Sequence, residues 1–267
     1  MNGKNILITG GTSGLGLELA KLFTAKGDNV KVTGRNGASV ADRESFIYAD
    51  FADLMSVREA VNTLISNGFS PDIIINNAGT IGPSVFTTTK DGFEYTWQVN
   101  FISHLLLNDL LLNTPGDDRT ILLVFVTSPV FRLVKPEYRL PGESEYSTFR
   151  AYAESKYFLL LTGDYLAAKY ADKKLKVLKF SPGVFGSGIF RMRRPFFRAL
   201  YSLAESFMPG PGRPARRLVQ LIDKNICDSS KVYMTRGSIN VAAPEMNESS
   251  RDFLFSLDKA INIVRRH

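Results

Sequence analysis

Tyr152 and Lys156 stand four residues apart in Tyr152-Ala153-Glu154-Ser155-Lys156. On a helix that spacing puts both side chains on one face. An ammonium beside a phenol stabilises the phenolate and lowers the tyrosine pKa, so the phenol can act as an acid or base near neutrality. Two other pairs share the spacing, Tyr165 with Lys169 and Tyr170 with Lys174. They lie further along the same helical stretch, away from the end where a ligand is expected. Ser128 closes an apolar strand in Thr127-Ser128. Its hydroxyl could bond a substrate oxygen beside Tyr152, or satisfy a backbone group at the strand end.

A second group of residues handles phosphate rather than protons. Ile6-Leu7-Ile8 leads into Thr9-Gly10-Gly11-Thr12-Ser13-Gly14-Leu15-Gly16, and a helical pattern follows. Strand, glycine-rich turn and helix N-terminus together hold an anion with backbone N–H groups. Glycine suits the sharp turn and lets a pyrophosphate approach the backbone. The spacing is G-x-x-x-G-x-G, and the bland alternative is a turn with no ligand. Asn76-Asn77-Ala78-Gly79 and Ser181-Pro182-Gly183 each follow an apolar strand directly. In an open α/β sheet the ligand lies at the C-terminal ends of the strands, where all these residues fall.

The elements that must position them alternate along the chain. Strands are expected at Asn5–Thr9, Val30–Thr33, Phe46–Ala49, Asp72–Asn76, Ile121–Val126, Leu175–Phe180 and Val232–Met234. Helices are expected at Leu15–Lys26, Leu54–Ser66, Phe93–Leu112, Arg150–Tyr170, Arg213–Cys227 and Ser250–Arg265. Unbroken apolar strands separated by helices imply a parallel sheet covered on both faces. The reading is one α/β domain over residues 1–267, doubly wound, with about seven strands. Only Gly34 to Ser45 connects the second strand to the third. A crossover helix of two or three turns does not fit there, so that helix should be truncated or absent.

Composition narrows the class further. The chain has 267 residues and 44% hydrophobic content, enough for one large folded domain. No apolar run approaches the ~18 residues of a membrane span. Met1-Asn2-Gly3-Lys4 lacks the apolar region of a secretory leader. Cys227 is the only cysteine, so an internal disulfide is excluded and a cytoplasmic location is expected. With His104, His267 and one cysteine, the usual soft-metal clusters cannot form, and no metal is expected. Nothing points to nucleic acid. The net charge is +7, and residues 184–217 hold seven arginines (191, 193, 194, 198, 213, 216 and 217) against the one acid Glu205. They form either a solvated face or a contact for an anionic partner or membrane.

Together these residues resemble the short-chain dehydrogenases/reductases, strongly over residues 4–187. The Thr9–Gly16 turn, Asn76–Gly79, Asn100, Ser128, Tyr152, Lys156 and Pro182-Gly183 occur in that family's order. The resemblance implies a Rossmann fold and residue roles. Tyr152 is the general acid/base; Lys156 lowers its pKa and holds the nicotinamide ribose; Ser128 orients the substrate oxygen. Asn100 resembles the asparagine that anchors a water in the proton relay; alternatively it is a mid-helix asparagine bonded to backbone. Gly10, Thr12, Ser13, Gly14, Leu15 and Gly16 form the phosphate turn. Asp50 and Phe51 meet the adenine, and Asn77, Ala78 and Gly79 pass beside the nucleotide. Pro182, Gly183, Phe185 and Ser187 cover the nicotinamide.

The cofactor can be argued physically. An acid at the end of the second strand would bond a ribose 2′-OH and repel a 2′-phosphate. Here the strand ends Val32-Thr33-Gly34-Arg35-Asn36, with a guanidinium and no acid. That favours NADP(H) over NAD(H). The basic residue that some NADP-type members carry before the second glycine is Ser13 here, so the preference rests on Arg35.

Ser128 and Tyr152 are 24 positions apart, longer than in most members, and Pro129 after Ser128 is unusual. The long segment and the final helix resemble the retinol dehydrogenase and protochlorophyllide reductase branch. That branch implies a hydrophobic ketone, aldehyde or alcohol. Residues 185–212 are the expected substrate lid, and 189–217 the segment that could rest on an anionic membrane. Other readings are a dinucleotide-binding sensor or scaffold without turnover, and a reductase of a ketone on a carrier- or CoA-bound thioester. A homodimer through the two long helices is also open.

Overall fold

The computed structural model describes residues 3–114, 119–183, 210–235 and 241–263. Its centre is an eight-stranded sheet of order β3-β2-β1-β4-β5-β6-β7-β8. The strands are β1 Asn5–Ile8, β2 Asn29–Gly34, β3 Phe46–Tyr48, β4 Ile73–Asn76, β5 Ile121–Val126, β6 Leu175–Ser181, β7 Lys231–Met234 and β8 Val241–Ala242. All neighbours are parallel except β7 and β8. The sequence pattern locates seven of these strands. The two-residue β8 is too short to show a period.

Helices cover both faces. On one side α1 (Gly14–Ala25) packs against α6 (Gly212–Asp223). Ile6, Ile8, Ile73, Ile75 and Val124 from the sheet meet Leu19, Phe23, Leu218 and Ile222 from those helices. On the other side lie α2 (Leu54–Ser66), α4 (Ser103–Leu112), α5 (Thr148–Lys169) and α7 (Glu248–Ile263). They bury Leu7, Ile74, Leu123 and Phe125 against Trp97, Phe101, Leu105 and Phe158. Each strand thus feeds two cores through alternate side chains, which is why Ile73-Ile74-Ile75 is apolar without a break.

Local signals set the helix starts. The Asp53 carboxylate accepts the Met55 N–H at 2.9 Å and opens α2. Ser147 opens α5, its hydroxyl accepting the Arg150 N–H. The helix expected from Phe93 starts later, as α3 (Tyr95–Trp97), because the Glu94 side chain accepts the Trp97 N–H at 2.8 Å. It then passes through a wider π turn, Gln98–Ile102, before α4. The β2–β3 connection has no α-helix, as its length requires. One 3₁₀ turn, Arg43–Ser45, fills it, capped by Asp42.

Strand register aligns the C-terminal ends. Ile8 pairs with both Val32 and Ile75, Asn76 with Phe125, and Val126 with Phe180. The order reverses between β1 and β4, so a crevice opens there above the Thr9–Gly16 turn.

The final helix closes one side. Leu254, Leu257 and Ile261 of α7 enter the core beside α4 and α5. Lys169 of α5 bonds the carboxylates of Asp109 on α4 and Asp258 on α7. Nearly every residue of α4 is buried within the one chain. No helix among the described residues is long and apolar enough to cross a membrane.

Candidate active site

The crevice at the switch point is a cleft of about 410 Å³. One end is built by the first turn. Gly10 has φ of 64°, a left-handed conformation that costs glycine nothing. Gly16 permits close packing: a β-carbon there would lie 2.4 Å from the Gly10 carbonyl oxygen and 2.7 Å from Asn77 Nδ2. Gly10, Thr12, Ser13, Gly14 and Leu15 line the cleft; Gly16 stands behind them as the packing residue. Ser13 is the N-cap of α1, but its side chain caps no N–H, and the first turn carries no acid. The helix therefore offers its first N–H groups to an anionic ligand.

Arg35, Asp50 and Phe51 line the same end. Arg35 is exposed at its rim and makes no ion pair with a carboxylate among the described residues. Asp50 is committed locally, its carboxylate accepting the Ala52 N–H at 3.0 Å.

Asn77, Ala78 and Gly79 form the middle wall. Asn77 Nδ2 donates to the Thr9 carbonyl at 2.9 Å and the Gly10 carbonyl at 3.3 Å, tying this turn to the first. Pro182 and Gly183 border the far end. Phe185, Ser187 and most of the expected lid, 185–212, lie outside the described residues. So do Arg191, Arg193, Arg194 and Arg198. Of the basic run, Arg213 and Arg216 are exposed on α6, whose opposite face enters the core.

Ser128, Tyr152 and Lys156 converge at this far end. Ser128 follows β5 in extended conformation, and its side chain makes no capping bond. Pro129 suits the first position of the 3₁₀ turn Pro129–Leu133 and holds Ser128 extended. The Ser128 hydroxyl is thus free to act on the Tyr152 phenol. Burial pushes that phenol above the usual tyrosine pKa, and Ser128 pulls it partly back. The depression expected from Lys156 does not appear. Lys156 is itself buried, which lowers it to about 8. Its ammonium reaches the Val126 carbonyl at 3.4 Å, and a β-carbon on Gly79 would meet it at 2.9 Å. It has no carboxylate partner among the described residues. The neighbouring Glu154 turns away to Arg150.

Asn100 sits in the π turn, fully buried, behind the wall rather than on it. Its amide holds the Thr80 backbone and donates to Ser155 Oγ at 3.0 Å, and Ser155 Oγ donates to the Tyr152 carbonyl at 2.7 Å. The side chain is thus spent on protein, as in the backbone-bonded alternative. The other two Tyr/Lys spacings are absorbed elsewhere. Tyr165, Lys169 and Tyr170 belong to the Asp109–Asp258 cluster under α7.

Periodicity does not locate Thr80, Ile81, Tyr95, Val99 and Val130, which complete the lining near Tyr152. Nor does it assign His104 and Asn108. Asn108 Nδ2 donates to Asn76 Oδ1 at 2.7 Å. Asn100, His104 and Asn108 recur every four residues along one helical stretch, a spacing that was present in the sequence.

Residues 4–196 match the model of the short chain dehydrogenase family, and the chain belongs to that family of oxidoreductases. Human polyprenol dehydrogenase is 29% identical over 206 residues, 69% of this chain and 62% of the relative. Mouse retinol dehydrogenase 14 is 28% identical over 226 residues, 74% of this chain and 67% of the relative. These relatives agree with the branch inferred from the long segment. The matches cover 64%, 58%, 56% and 62% of the first four curated relatives, so the chain spans less than two thirds of their length. Among solved structures, a short chain dehydrogenase from Burkholderia cenocepacia in complex with NADP superposes with TM-score 0.65 at 23% identity, covering 87% of this chain and 96% of that one. At that identity the likeness speaks for the fold.

Proposed function

We propose that this chain is an NADP(H)-dependent oxidoreductase that interconverts a carbonyl and an alcohol on a hydrophobic small molecule. The observation that carries the reading is one cleft with two chemistries. Unfilled N–H groups and Arg35 lie at one end, and Ser128, Tyr152 and Lys156 at the other. NADP(H), when bound, supplies the hydride chemistry. Gly10, Thr12, Ser13, Gly14 and Leu15 would hold its phosphates, Arg35 the 2′-phosphate, and Asp50 and Phe51 the adenine. Asn77, Ala78, Gly79, Pro182 and Gly183 would flank the rest.

The protein's own residues handle the proton. Ser128 orients the substrate oxygen toward Tyr152. Burial keeps the phenol protonated near neutral pH, so Tyr152 can give its proton to a carbonyl oxygen during reduction. Lys156 then faces the resulting phenolate and stabilises it, offsetting the cost of burying both charges. In oxidation the same proton returns to Tyr152. Asn100 acts through Thr80 and Ser155, as a positioning residue for Tyr152.

Ile81, Val99, Val126 and Val130 line the reaction end, which favours an apolar substrate. The printed names of the polyprenol and retinol relatives support that class. The NADP complex of the structural neighbour supports the cofactor.

The deciding experiment compares wild type with Tyr152→Phe on NADPH and a panel of apolar ketones, aldehydes and alcohols. Expected is turnover by wild type, and loss of turnover with NADPH binding retained in Tyr152→Phe. Binding without turnover by wild type across the panel would favour a sensor.

A further inference from the structure

His104 is fully buried on α4, one turn beyond Asn100, and does not line the cleft. Its Nε2 lies 3.0 Å from Thr9 Oγ1. Thr9 is itself fully buried at the end of β1. A hydroxyl has one proton to give and two lone pairs to receive with. The Asn77 and Ala78 N–H groups each donate to Thr9 Oγ1 at 2.9 Å, filling both lone pairs. The remaining Thr9 proton can go to the Ile75 carbonyl at 3.3 Å or to His104 Nε2 at 3.0 Å. The Ile75 carbonyl already accepts the Thr9 N–H at 3.0 Å. Nε2 is closer and has no other bond, so it receives the proton. That fixes the imidazole as neutral, with its own hydrogen on Nδ1. Nδ1 is buried and has no hydrogen-bond partner among the described residues. Burial, with the nearby Lys156 charge, holds the ring far below the usual histidine pKa, at about 3, which agrees with a neutral ring.

We propose that His104 is a positioning residue for the cofactor cleft: by accepting the Thr9 proton it turns both Thr9 lone pairs to Asn77 and Ala78, and so sets the Asn77–Gly79 wall. The ring also packs edge-on against Phe51, 4.8 Å between centroids, so one side chain braces two walls of the same cleft. The proposal rests on the dinucleotide reading of that cleft.

The test uses the full chain and three substitutions. Gln places an oxygen where His carries Nε2, Asn reaches only as far as Nδ1, and Phe keeps the ring without the acceptor. NADPH affinity is measured by fluorescence titration, with thermal midpoints recorded beside it. Expected is binding within about twofold of wild type for His104→Gln, and about tenfold weaker binding for His104→Asn and His104→Phe, the size of one lost buried acceptor. Thr9→Val should weaken binding at least as much as His104→Phe, since it also strands the Asn77 and Ala78 N–H groups, and the double variant should be no worse than Thr9→Val alone. Wild-type affinity in His104→Phe would overturn the proposal. So would losses that simply follow the thermal midpoints, with His104→Gln no better than His104→Asn. A second arm needs no cofactor and no variant. In ¹⁵N spectra of wild type, His104 should show an unprotonated Nε2 from pH 5 to 8. A protonated Nε2 would overturn the assignment. If wild type fails to bind NADPH at all, the functional reading falls, and this second arm still decides the proton's place.

Discussion

Asn100 and Thr80 bond each other twice: Thr80 N–H donates to Asn100 Oδ1 at 2.7 Å, and Asn100 Nδ2 donates to the Thr80 carbonyl at 2.9 Å. They are 20 residues apart, and the pair ties the loop after β4 to the π turn. Thr80 lines the cleft beside Tyr152, so this pair helps set the reaction end.

Asn100→Ala leaves the Thr80 N–H and carbonyl without partners. It should cost about 1–3 kcal/mol in chemical denaturation, the penalty for stranded polar groups. It should also raise the substrate KM. Unchanged stability would mean that the reciprocal bond is not formed in solution.

Lys156 gives the pH dependence. Its pKa in the fold is lowered to about 8 by burial. Its charge is therefore present at neutrality and lost as pH rises through about 8. kcat/KM for reduction should be flat below that value and fall above it, since the step needs the ammonium. An alkaline limb that begins only near 10 would contradict the depressed value.

The same shift has a stability sign. Between the folded value near 8 and the unfolded value near 10.5, the unfolded chain binds more protons, so stability rises with pH through that window. Below it the buried ammonium is a cost. Lys156→Met, of similar volume and neutral, should stabilise the fold by about 1–3 kcal/mol at pH 7 while abolishing turnover. Thermal melts of the two proteins at pH 7 check this, and a lower midpoint for the variant would count against it.

Arg35 carries the cofactor preference in our reading. Arg35→Ala should lower the NADPH/NADH ratio of kcat/KM about tenfold, as expected for one lost charge-assisted contact at an exposed rim. An unchanged ratio would remove the physical argument for NADP(H).

Lys169 anchors the final helix between two carboxylates that are each under a tenth exposed. Burial works against its charge, but Asp109 and Asp258 outweigh it and raise its pKa. Lys169→Met leaves those carboxylates facing each other and should destabilise by about 2 kcal/mol in urea. Adding Asp258→Asn should recover part of that loss, since the two sites share one network. Equal and independent costs would show that α7 is held by its apolar face alone.

The edge at which the cleft opens was legible in the sequence for a physical reason. Parallel strands all present their C-terminal ends on the same side, so residues that directly follow apolar runs must meet there. Thr9–Gly16, Asn77–Gly79, Ser128, Arg35 and Pro182 were found that way, and Tyr152 with Lys156 by helical spacing. The missing crossover helix followed from chain length alone. What required the tertiary structure were contacts between side chains remote in sequence. Asn100 with Thr80, His104 with Thr9 and Asn108 with Asn76 depend on how α4 is seated over β1 and β4, and periodicity records only that the helix is buried. The same holds for charge. Adjacent spacing predicts that Lys156 lowers the Tyr152 pKa, but burial decides the direction in the folded chain and raises it. Spacing names which groups share a face; packing decides what each of them is bonded to and how far it is from water.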